Sequence, residues 1–68
     1  MLTDSDRALL DFESRWYRFP GAKEEAIRIE LGISPVRYWQ RLRALAEQPE
    51  AEFYAPRVVR RIRRPRAA

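Results

Sequence analysis

Hydrophobic positions recur at helical spacing in several stretches of this chain. Leu9, Phe12, Trp16 and Phe19 form one apolar stripe, flanked by Leu10 and Tyr17. Thr3 stands ahead of Asp4-Ser5-Asp6 as an N-cap, with Asp6 in the capping-box position and acids in the first turn that suit the helix dipole. This predicts a first helix from Asp4 to about Arg18, broken by Pro20-Gly21.

Lys23 to Leu31 reads as a short second helix with Ala26, Ile27 and Leu31 on one side. Gly32 suits the left-handed conformation that ends a helix. Ser34-Pro35 then pairs an N-cap serine with a proline at the first helical position. The third helix runs to about Gln48, carries Val36, Tyr38, Trp39, Leu42 and Leu45, and is stopped by Pro49. Trp39 is expected in the core. Glu50 to Tyr54 is either a turn of helix or a loop, and Pro56 can begin a last helix whose Val58, Val59 and Ile62 pack back on the body. No alternating strand pattern and no internal repeat is present. The expectation is an all-α fold: a small three- to four-helix domain over residues 1–62 containing a helix-turn-helix, with a frayed basic tail at 63–68.

The turn itself is the most informative segment. Ile27, Leu31 and Ile33 would fill a steep helix crossing, Gly32 relieves the sharp backbone, and Tyr38 and Leu42 face inward one turn apart. In a DNA-reading helix-turn-helix the second helix lies in the major groove. Val36, Arg37, Gln40 and Arg41 would then point outward, with Arg37 or Arg41 pairing to guanine and Gln40 to adenine. Ser34 and the free N–H groups of the helix start suit a phosphate. One departure stands out: Arg28 occupies a place where such motifs carry a small residue, which predicts a wider or rotated crossing.

Length and composition limit the functional classes. With 68 residues there is room for one domain, and 46% hydrophobic residues give it a core without staples. Cysteine and histidine are both absent, which removes disulfides, thiolate and imidazole metal ligands, and the usual nucleophile and acid–base groups. A non-enzymatic protein with no cofactor, metal or small-molecule substrate is expected. No apolar run reaches the about 18 residues of a membrane span. The start, Met1-Leu2-Thr3-Asp4, is acidic where a secretory signal is basic, so a cytoplasmic protein is expected.

Net charge is +4, and 13 of the 14 basic residues are arginine. A GC-rich genome accounts for much of that preference, since alanine and proline are plentiful too. It does not account for where the charge sits. Arg37, Arg41 and Arg43 share the third helix with no acid between Ser34 and Ala46, and no acid follows Glu52. Arg57, Arg60, Arg61, Arg63, Arg64 and Arg66 thus read as a phosphate-tracking arm. The basic residues around Ile62 do not make a clean polar face, which argues against a membrane role. Asp11, Glu13, Glu24, Glu25 and Glu30 read as surface charge, with Glu24 and Arg28 as an i,i+4 pair.

The segments Leu2–Glu13, Gly21–Arg28 and Pro49-Glu50-Ala51, with Trp16, the Tyr38…Leu42…Leu45 helix and Pro56…Val59, also carry a resemblance. Across nearly its whole length the chain is similar to a family of short actinobacterial proteins of unknown function, thought of as helix-turn-helix-like. The resemblance implies an actinobacterial or phage-borne cytoplasmic protein. It also makes the large basic residue at Arg28 a family trait, and it supplies no activity or site.

Two functions remain open. One is a DNA-binding domain acting in transcription regulation or nucleoid organisation, through Ser34, Val36, Arg37, Gln40, Arg41, Arg43, Arg57, Arg60, Arg61, Arg63 and Arg64. The other is a protein-interaction adaptor, for example on RNA polymerase or another regulator, or a homodimer. It is suggested by more aromatics (Trp16, Tyr17, Trp39, Phe53, Tyr54) than so small a core requires.

Overall fold

The computed structural model describes residues 1–15 and 17–64, and these form an all-α fold with no strand. Five helices follow one another: α1 (Asp4–Glu13), α2 (Pro20–Ala26), α3 (Pro35–Ala46), α4 (Pro49–Tyr54) and α5 (Pro56–Arg63). A π-helical turn, Ile27–Leu31, continues α2 without a break. Four of the five prolines open a helix, where a fixed φ is an asset and the missing N–H costs nothing. Pro20 and Pro49, expected as breakers, are therefore starters. That raises the helix count above the three or four anticipated.

The start of α1 follows the sequence. Thr3 Oγ1 accepts from the Asp6 N–H and Asp6 Oδ2 accepts from the Thr3 N–H, each at 3.0 Å. Its end does not. The Ser14 hydroxyl donates to the Asp11 carbonyl at 2.5 Å and the Arg15 N–H reaches back only to Phe12, so the helix tightens and stops at Glu13. Phe19, expected on the core stripe, consequently stands outside it with 62% of its surface exposed. Trp16, the other residue expected there, lies outside the described residues.

The predicted turn forms. Gly32 is left-handed at φ 67° and its N–H caps the Arg28 carbonyl, while Ser34 Oγ accepts from the Arg37 N–H at 3.2 Å. Ile27 is buried, Leu31 and Ile33 pack beside it, and Arg28 is exposed. The Arg28 side chain is turned to solvent, and it makes no ion pair with Glu24.

The core is built around α3, whose Tyr38, Leu42, Leu45 and Ala46 meet Leu9, Leu10 and Phe12 of α1, Ala51 of α4, and Val58 and Val59 of α5. Phe12 and Tyr38 meet edge to face, 5.6 Å between centroids. Val59 is 0% exposed, so the segment beginning at Pro56 belongs to the body. Only Pro65–Ala68 of the expected tail fall outside the described residues. Among the described residues no helix is long and apolar enough to cross a membrane.

Candidate nucleic-acid interface

Helix α3 turns its inward residues to the core and leaves Val36, Arg37, Gln40 and Arg43 exposed along one outward stripe. Ser34 caps the start of that stripe. Arg41 does not belong to it: its Nη2 donates to Ser5 Oγ at 2.9 Å and lies 3.8 Å from Asp6 Oδ1. One of the two arginines expected to pair with guanine is thus a bolt between α3 and the start of α1. The reason is angular, since Arg41 sits beside Tyr38 and Leu45 on the helix wheel and shares their side.

On α5 the arginines separate from the apolar residues more sharply than their order in sequence suggested. Val58, Val59 and Ile62 turn inward, Arg57, Arg60, Arg61 and Arg63 occupy the rest of the helix surface, and Arg64 follows as its extended, exposed C-cap. That is a clean polar face, correcting the expectation that these arginines merely surround Ile62. Two of them are engaged: Arg63 Nη1 lies 2.6 Å from Glu52 Oε2, and Arg61 Nη2 donates to the Glu13 carbonyl at 2.7 Å. Among the described residues Arg37, Arg43, Arg57, Arg60 and Arg64 have no acidic partner. Arg66 lies outside the described residues.

α3 and α5 pack side by side, and the groove between them has a volume of about 640 Å³. Arg43 borders it from α3, Arg61 from α5, and Arg64 from the C-cap of α5. Trp39 also lines it, with 41% of its surface exposed instead of buried in the core as expected. Its ring stands edge-on to Tyr38, and the Lys23 ammonium lies 4.8 Å from its centroid. At the α4–α5 corner a second depression is lined by Phe53, Pro49, Pro56 and Arg60, and Phe53 is 93% exposed.

The feature that sequence reading missed is Glu13. It is 5% exposed, not the surface charge expected. Its Oε1 accepts from the Tyr38 hydroxyl at 2.6 Å and from Lys23 Nζ at 2.7 Å, and Arg61 Nη2 stands 3.5 Å from Oε2. One carboxylate thereby ties together α1, α2, α3 and α5. Burial, then the bond to Glu13, holds the Tyr38 hydroxyl well above the usual tyrosine range, keeping it a donor. In sequence the only hint was position: Glu13 follows Phe12 and falls near the apolar stripe. No group of three or more metal-ligating side chains occurs among the described residues.

By sequence the chain belongs to the DUF3263 family of proteins of unknown function, whose family model matches residues 1–68. No curated protein and no solved structure matches it.

Proposed function

We propose that this chain is a small cytoplasmic DNA-binding protein, acting in transcription regulation or nucleoid organisation, that meets duplex DNA with the outward faces of α3 and α5. The observation that carries the reading is a set of five arginines without acidic partners among the described residues: Arg37 and Arg43 on α3, Arg57 and Arg60 on the adjacent α5, and Arg64 at its C-cap. Arginines free of carboxylates are available to phosphates, and release of condensed counterions drives such binding. The capped turn from Gly32 to Ser34, the exposed Arg37 and Gln40 behind it, and an Arg28 turned to solvent suit a helix-turn-helix of the kind the actinobacterial resemblance implies. Because the apolar face of α5 is used by the core, insertion of that helix into a bilayer would cost the fold its Val58 and Val59 contacts.

Fluorescence anisotropy with labelled mixed-sequence duplex tests this. Neutralisation of about five phosphates predicts a slope of log K against log salt of roughly −4.5. The Arg57→Ala/Arg60→Ala/Arg64→Ala variant should make the slope shallower by about 2.7, about 0.9 for each phosphate contact removed. Substitution is the clean comparison, because truncation at Pro56 would remove Val59 from the core. Absence of binding at low salt would sink the proposal. A second reading, a protein-interaction adaptor, is favoured by Phe53, whose ring is almost wholly exposed between Pro49 and Pro56. Capture of a defined partner, or self-association, abolished by Phe53→Ser would support it.

A further inference from the structure

The arginine faces do not account for the aromatic wall of the α3–α5 groove. Trp39 forms that wall. Its indole is held in place from two directions, by the Tyr38 ring at 5.3 Å and 79° and by the Lys23 ammonium over one face. Lys23 covers part of the ring, and 41% of the tryptophan surface stays exposed where it lines the groove. An indole fixed by its neighbours is a stacking surface whose ordering cost has been met by the fold.

Arg43 stands one turn along α3 from Trp39, and Arg61 and Arg64 stand across the groove. Two acids also line it. Glu13 is balanced by Lys23 and Arg61 and donates no free charge to the cleft. Glu47, on the rim, has no cationic partner among the described residues, and Arg43 and Arg64 outnumber it. A rigid aromatic face beside unpaired arginines recognises a nucleobase together with the phosphates that flank it. The bases of an intact duplex present only their edges, and their faces are occupied by neighbours.

We propose that this groove holds an unpaired base of a single-stranded nucleic acid, stacked on Trp39, with the flanking phosphates on Arg43 and Arg64. The inference rests on the nucleic-acid reading of the arginine faces and adds the strand state of the ligand. A mononucleotide offers the same chemistry, so the test separates the two.

The assay is anisotropy of a labelled oligothymidine and of a labelled mixed-sequence duplex, each with the full chain and its variants. Trp39→Leu keeps apolar bulk without a π face, and it should weaken oligothymidine binding about ten-fold while moving duplex binding by less than about two-fold. Trp39→Phe should retain most of the single-strand affinity. Arg43→Ala/Arg64→Ala should weaken it as well. If Trp39→Leu leaves the oligothymidine affinity unchanged, or lowers both affinities alike, the stacking site is overturned and the duplex reading stands. If neither DNA form binds at low salt, both proposals fall together. Displacement of the oligomer by thymidine monophosphate at equal concentration of nucleotide would make a free nucleotide the ligand and overturn the strand assignment.

Discussion

Replacing Tyr38 by phenylalanine tests the one polar cluster that holds four helices together. The substitution deletes a single oxygen and leaves the ring, its edge contact with Phe12 and the surrounding apolar packing in place. What is lost is a 2.6 Å hydrogen bond from the hydroxyl to the buried Glu13 carboxylate. Hydrogen bonds to charged groups are worth about 1.5–3 kcal/mol net. Glu13 keeps Lys23 at 2.7 Å and is not orphaned, which places the expected loss at about 2 kcal/mol, near the low end of that range. A domain of this size has a total stability of roughly 3–10 kcal/mol, so the loss is a large fraction of it. It should appear in urea unfolding as a lower midpoint with unchanged m, and in thermal melting as a fall of about 8–16 °C. A second signature lies on the alkaline side. Folding raises the Tyr38 pKa above its ordinary 10.0, so the unfolded chain gives up that proton first. The stability this contributes is complete below about pH 10 and is lost as pH rises above it. Tyr38→Phe should flatten that alkaline decline, leaving the smaller share from Tyr54, whose hydroxyl is also shifted upward by its bond to Asp11. A variant within about 0.5 kcal/mol of the parent, with the same alkaline limb, would refute the Glu13 cluster as described.

Further predictions follow from single positions. Gly32→Ala should destabilise by about 1 kcal/mol in chemical denaturation, through its φ of 67° alone since a Cβ there meets open space, and Gly32→Asn should cost less. Gly21→Ala, inside α2 and also facing open space, should instead stabilise by about 0.5–1 kcal/mol; equal signs at the two glycines would contradict the assigned backbone. Thr3→Ala removes the acceptor for the Asp6 N–H and should lower stability by about 1 kcal/mol at neutral pH. The Asp6 carboxyl is held below its ordinary pKa chiefly by the Thr3 N–H, so its contribution is present above that ordinary value and lost as pH falls through the folded pKa; Asp6→Asn should remove that acid limb from a pH series of melts. Val59→Ala should destabilise by about 1.5–3 kcal/mol and accelerate exchange of amides in α1 and α3 as well as α5. An effect confined to the last helix would show that α5 is an appendage.

The two alanine variants at Gly32 and Thr3 bear on the parts of the molecule that local chemistry determined by itself. Thr3 with Asp6, Gly32, and Ser34 with Pro35 are caps whose partners lie within a few residues, and each formed as read. The inward stripe of Tyr38, Leu42 and Leu45 was likewise legible, because periodicity is a property of one helix. The all-α class follows from these short-range terms.

What required the tertiary structure was every feature set by a partner distant along the chain. Glu13 was indistinguishable from a surface acid until α2, α3 and α5 brought Lys23, Tyr38 and Arg61 to it. Arg41 looked like a base reader until α1 placed Ser5 within reach of it. Trp39 looked like core until Tyr38 took the inward direction and left the indole on the groove. A last helix from Pro56 with Val58, Val59 and Ile62 turned inward was legible, but which of its arginines stay free was not, because Arg61 and Arg63 are engaged by Glu13 and Glu52 from other helices. Caps and periodicity are decided within a turn or two of backbone. Burial of a charge and the direction of an arginine are decided by which helices meet, and that is a property of the assembled core.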